Sequence, residues 1–249
     1  MPTQTRRFIH CCSGLILNRP ARGRTLCTVP TRLADLRRLL RIYEHATFPL
    51  WLKIGVTLVY AYISRGAWQQ YSAFNFLWFS HIGFMGAVAA LWLESRLLAS
   101  MMLLNTLVAD GVGWTLDLLV ALVSGRHPFG ATAYMFDQRI PILIRCLSLF
   151  HIVVPALLAW MVYKLGYDRR ALVAQTLFAW AVLLFCVSFT DPALNLNCVF
   201  GPGTQRQTFM PAWLYFVILM IYVPLAFYLP IHLTLRRWLK WDRPRESRG

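Results

Sequence analysis

Six polar side chains stand inside stretches that are otherwise apolar: His81, Asp110, Asp117, Arg145, Ser148 and His151. An ionisable group in such a stretch costs roughly 2.5–3.5 kcal/mol to place in a membrane, so each one is a candidate for function. Their chemistries complement one another. A histidine oriented by a carboxylate can take a proton from a substrate, and His151 with Asp110 would form such a general base. Arg145 does not lose its charge, so it could hold an anionic head group. Ser148 lies three residues from both Arg145 and His151, which lets the three share a broad helix face. Asp117 follows Asp110 by two helical turns on one face, with Trp114 between them. His81 and a later polar stretch with Asp191, Asn195 and Asn197 complete the candidate binding groups.

The same residues admit a purely architectural reading. Asp110 or Asp117 could pair with Arg145 and hold two helices together, Asp117 being the better placed by depth. His151 could be hydrogen-bonded to a neighbouring helix for about 0.5–2 kcal/mol. Asn105 and Gln175 fit interhelical hydrogen bonds, and Cys146 and Cys186 fit small apolar packing positions.

The elements that must position these groups follow from composition. The 249 residues are 58% hydrophobic and 14% charged, with mean hydropathy +0.52. A soluble domain carries about 25% charged residues, so a water-soluble enzyme is disfavoured, and so is a disordered chain. Six apolar segments approach or reach the roughly 20 residues that a helix needs to cross hydrocarbon: 50–68, 74–93, 97–123, 141–163, 171–189 and 212–233. Inside lipid every backbone polar group must be paired within the protein, which makes these segments helices. The expected fold is all-α, a polytopic bundle of about six transmembrane helices spanning residues 49–235. Lys53 and Arg65 interrupt the first segment near its ends, where both can reach the interfaces.

The net charge of +15, from 25 Lys+Arg against 10 Asp+Glu, is a topological signal. With the N-terminus inside, nineteen Lys and Arg fall in inner segments and four in outer ones. The positive-inside rule then places both termini in the cytoplasm and the loops 124–140 and 190–211 outside. Nucleic acid is not expected as a partner. At about 1.5 Å per residue, His81 lies about 10 Å from the outer end of its segment. Asp110 and His151 fall near mid-depth, and Asp117 and Arg145 lie closer to the outer boundary. A polar pocket opening outward is the resulting expectation.

Residues 1–30 read as a basic, disordered tail without a cleavable signal. Residues 31–48 carry Leu33, Leu36, Leu40 and Tyr43 at helical spacing among Arg32, Arg37, Arg38 and Arg41. That pattern predicts an amphipathic helix on the inner leaflet, with anionic lipids as partners there and at the basic tail 236–249. No nucleotide-binding, serine-hydrolase or zinc-protease motif is present. No metal-ligand spacing occurs, and no cofactor is implied.

The strings FLWFS (76–80), ALWLES (90–95), LLASM (97–101), YMFD (134–137), LSLFH (147–151) and GYDRR (166–170) occur together, with VFGPG, QTFMP and YLPIHL further on. Over residues 49–238 this pattern resembles a family of bacterial multi-pass proteins described as membrane-associated. His81 stands where that family often has an Asp, and Ile152-Val153 follow His151 where Gly-Trp is common. The resemblance implies a bacterial inner-membrane protein without assigned chemistry. The number of apolar segments and the Asn-rich loop also resemble YwaF-like six-helix membrane proteins, some relatives of which handle lipid acyl chains. Three functions remain open: action on a lipid or amphipathic substrate at the outer pocket, proton-coupled transport through the acidic and histidine residues, and a non-catalytic scaffold.

Overall fold

The sixth apolar segment shows how local sequence shapes this chain. Proline has no N–H to donate, so it frees the carbonyl four residues earlier. Here Pro224 sits at the start of a π-helical stretch, Val223–Tyr228, between two α-helical parts. In the computed structural model, which describes residues 47–70, 73–203 and 205–238, all regular structure is helical. These residues fall within one compact unit, Tyr43–Gly249. The expected tail 1–30, most of the interfacial helix 31–48, and residues 239–249 of the C-terminal tail lie outside the described residues.

The helices run in order as α1 (Leu50–Gln70), α2 (Phe79–Leu93) and α3 (Arg96–Thr106). A π-helical stretch, Leu107–Trp114, continues α3 directly into α4 (Thr115–Ser124). Then come α5 (Ile142–Leu147), α6 (Phe150–Leu165), α7 (Ala171–Phe189), α8 (Ala212–Tyr222) and α9 (Leu229–Trp238). Among the described residues four helical units, some with a change of winding inside them, are long and apolar enough to cross a membrane: Arg96–Ser124, Ile142–Leu165, Ala171–Phe189 and Ala212–Trp238. α1 and α2, on the first two of the six expected segments, are not among them. The protein is therefore membrane-embedded by the character of its helices. Their outward faces agree with that, since Val123 is 90% exposed and Val173, Leu177, Leu184 and Phe189 line the outside of α7. Water would penalise such a surface and hydrocarbon does not.

Close packing of α2 on α3 uses small residues. Gly83, Gly86, Ala87 and Ala90 are buried along one helix. A methyl group at Gly83 would collide with Thr106, and one at Gly86 with Met102. This is the small-residue contact that lets two helices approach in a membrane, where van der Waals packing replaces the hydrophobic effect. Asn105, Gln175 and Tyr228 join α3, α7 and the second π stretch: Gln175 donates to Asn105 at 3.1 Å and to the Tyr228 hydroxyl at 3.5 Å.

One end of the bundle is closed by Glu94 in the turn after α2. Its carboxylate accepts from the backbone N–H groups of Thr47 and Phe48 and from Lys53 Nζ at 2.9 Å. Burial opposes ionisation there, but these hydrogen bonds together hold the carboxyl below its usual value. At the same end Asp168 accepts from Arg170 N–H and its guanidinium. That is the turn before α7, whose N-cap residue Arg170 makes no side-chain cap of its own. The Arg170 bonds are the main reason the Asp168 pKa is lowered.

Candidate functional site

Asp110 lies inside the π stretch Leu107–Trp114, whose sequence LVADGVGW carries two glycines. Each glycine costs an α-helix about 1 kcal/mol relative to alanine, which lowers the cost of the wider winding. Thr106, just before it, turns its hydroxyl back to the Met102 carbonyl at 3.0 Å, a contact that bends helices. Opposite stands His151, in the first turn of α6. Its Nδ1 is 3.2 Å from Asp110 Oδ1, with side chains 13% and 15% exposed. The two are in ion-pair range, while the alignment stops short of a hydrogen bond, because Nδ1 is buried without a partner. The imidazole ring stacks on Trp114 at 4.9 Å and 15° and on Phe150 at 4.2 Å and 23°. These rings restrict its rotation, which keeps Nδ1 on the carboxylate and leaves Nε2 for a second group.

The expectation of one unbroken helix through Arg145, Ser148 and His151 needs correction. α5 ends at Leu147 and α6 begins at Phe150. Between them the N–H groups of Ser148, Leu149, His151 and Ile152 bond three residues back, to Arg145, Cys146, Ser148 and Leu149. In this tighter winding side chains three residues apart come into line, so the break does not by itself separate Arg145, Ser148 and His151. Ser148 spends its hydroxyl on the Ile144 carbonyl at 3.3 Å.

Asp117 and Arg145 do not pair. Asp117 is fully buried and accepts from Phe129 N–H at 2.7 Å, Thr132 N–H at 2.8 Å and the Thr132 hydroxyl at 2.7 Å. It folds the loop after α4 back onto the bundle, and both oxygens are occupied. Arg145 instead donates from Nη1 to the Met135 carbonyl at 3.0 Å in that loop, and its Nε is buried without a partner. Nearby Asp137 is held down to about 2, chiefly by hydrogen bonds from Arg139, with a weaker pull from Arg145.

Asn195 and Asn197 also serve the main chain. Asn195 donates to the carbonyls of Gly201 and Gly203 and accepts from Phe200 N–H. Asn197 accepts from Phe79 N–H at 2.9 Å and donates to Leu77 O at 2.8 Å. It therefore caps α2 from a residue more than a hundred positions away, since Trp78 makes no side-chain cap of its own.

His81 stands close to the Asp110–His151 pair through shared aromatic neighbours. Its ring is 5.5 Å from Phe150 and 5.6 Å from Phe76, and Asn75 lies 2.9 Å from its Nε2. Three participants were not singled out in the sequence: Asn75, Phe150, and Tyr134, whose hydroxyl receives the Trp114 indole N–H at 3.3 Å. Asn75 alone left a trace, as a lone amide in an apolar stretch.

No family model, curated protein or solved structure matches the chain. The site must therefore be read from its own chemistry. Six buried side-chain polar atoms lack a hydrogen bond among the described residues: Ser64 Oγ, His81 Nδ1, Thr115 Oγ1, Arg145 Nε, His151 Nδ1 and Gln175 Oε1. All but the last lie in the half of their helices nearer the loop after α4. Native interiors satisfy such groups with few exceptions, and two of the six, His151 Nδ1 and His81 Nδ1, belong to rings that share Phe150 as a neighbour. No three His, Cys, Asp or Glu side chains among the described residues gather as a metal site would require.

Proposed function

We propose that the chain is a six-span protein of the bacterial cytoplasmic membrane whose Asp110–His151 pair acts as a general base on a lipid or other amphipathic molecule. The observation that carries this reading is the 3.2 Å approach of His151 Nδ1 to Asp110 Oδ1 between apolar helices. An ionisable pair there is costly unless it is used. Asp110 orients the ring, and Nε2 takes a proton from water or from a substrate hydroxyl. Arg145, which donates to the Met135 carbonyl and makes no close ion pair among the described residues, holds an anionic head group at the outer boundary. α1 and α2 supply the fifth and sixth spans: α1 has 21 residues, and α2 is lengthened by the 3-10 turn Ala73–Leu77 before it. Both termini are cytoplasmic, where their basic residues meet anionic lipids. Lipid profiling of a strain lacking the protein, complemented with wild type, His151→Ala or Asp110→Asn at equal abundance, tests the reading. Restoration by wild type alone is expected. Full restoration by His151→Ala removes the general base.

A proton-coupled carrier is the second reading. It is favoured by the buried polar line that continues away from the site through Asn105, Gln175 and Tyr228 and by the Tyr167–His232 contact at 2.7 Å. Flux that depends on pH and is altered by Asp110→Asn in proteoliposomes would select it.

A further inference from the structure

Asp110 and His151 meet because two particular residues let their helices come close. Gly111 follows Asp110 directly, and Pro155 lies one turn beyond His151 on the same helix. A methyl group built on Gly111 would stand 3.2 Å from Pro155 Cβ and 3.5 Å from its Cγ. The first distance is tighter than ordinary van der Waals contact, and proline, being rigid, cannot swing aside as a flexible side chain would. Any side chain at 111 must therefore push the π stretch and α6 apart by a few tenths of an ångström. The pair it would separate has little slack, since it already misses hydrogen-bond alignment.

The winding of the π stretch depends on a neighbouring glycine. A methyl group on Gly113 would lie 3.3 Å from the carbonyl of Val108, five residues back. That carbonyl belongs to the wide turn itself. Pro155 adds a further effect, since it has no N–H to give to the carbonyl of His151. The helix is thus loosened at the residue whose ring must be placed.

We infer that Gly111 is a positioning residue for the Asp110–His151 pair, setting the carboxylate-to-imidazole distance through its contact with Pro155. This rests on the reading of that pair as the working site. It makes Gly111 a determinant of whatever proton transfer the pair performs, although it touches no substrate.

The test is nitrogen NMR of the full chain in nanodiscs with labelled histidine, which reports on which ring nitrogen carries the proton. In the wild type the carboxylate favours the proton on Nδ1 of His151. Asp110→Asn removes the carboxylate charge beside Nδ1 and is expected to shift the tautomer ratio toward Nε2 by at least about threefold, as for loss of one modest charge contact. Gly111→Ala should shift it in the same direction while leaving the His81 signals unmoved. Gly111→Ala combined with Pro155→Gly, which transfers the small residue to the opposite helix, should return the ratio toward wild type. A His151 signal unchanged by Gly111→Ala but moved by Asp110→Asn overturns the positioning role alone. A signal unmoved even by Asp110→Asn overturns the pair and the proposed chemistry with it. If Gly111→Ala does not accumulate, the combined variant must do so with a wild-type signal, and its failure as well counts against the inference.

Discussion

The indole N–H of Trp180 on α7 donates to the carbonyl of Met220 at 2.8 Å, the carbonyl that Pro224 leaves without its helical donor. A break in one helix is thus repaired by the side chain of another, as a membrane interior requires. Trp180→Phe keeps an aromatic ring in place but removes the N–H together with the pyrrole part of the indole. It should lower the stability of the detergent-solubilised protein by about 1 kcal/mol, read as a lower midpoint of thermal unfolding.

Asp117 and Arg145 should behave independently. Asp117→Asn weakens three hydrogen bonds that fold the loop after α4, and a cost of about 1–3 kcal/mol is expected. Arg145→Gln removes one contact to Met135. With no shared partner, the two losses should add in the double variant to within about 0.5 kcal/mol. A double variant more stable than that sum would reveal a direct pairing.

Glu94 gives a pH dependence whose sign is fixed. Its carboxyl is held below its usual value, so the folded state gains from the ionised form. That gain is complete above the ordinary carboxylate value and is lost as pH falls through the lowered one. Wild type should therefore unfold at higher temperature than Glu94→Gln at pH 7, and the gap should close as the medium is acidified. A gap that persists in acid would assign the effect to packing.

Asn197→Ala should strand the N–H of Phe79 and the carbonyl of Leu77. Loss of a helix cap costs about 0.5–2 kcal/mol. Hydrogen exchange should quicken in the first turn of α2, beside His81, and not at its far end.

Orientation can be read chemically. In a cysteine-free background, a cysteine at Gly130 should react with an impermeant thiol reagent from outside intact cells, and one at Ser95 should not. The reverse pattern would place the Asp110–His151 pair nearer the cytoplasm.

Long apolar segments were legible in the sequence because hydrocarbon solvation depends on composition summed over about twenty residues. The segment 171–189 has the same limits in the structure as α7, and 97–123, 141–163 and 212–233 match three further membrane-length units to within a few residues, while 50–68 and 74–93 form helices that are not among those units. Asp110, His151 and Trp114 were also visible as unusual residues in such segments. The Asp110–His151 pairing was expected from depth and chemistry, but the contacts that fix it were not, because register within a helix pair is decided by contacts distant in sequence: Gly111 against Pro155, and Trp114 and Phe150 against the imidazole. The expected Asp117–Arg145 pair illustrates the limit. Depth and charge made the two match, but a buried carboxylate gains more from three short hydrogen bonds to a folded loop than from one distant guanidinium. Two irregular windings, the π stretch at Asp110 and the tight turn at Ser148, also interrupt the regular helices. A periodicity argument assumes a constant 3.6 residues per turn and has no means of anticipating either. Composition decided the solvent in which this chain folds, and tertiary packing decided which polar groups meet there.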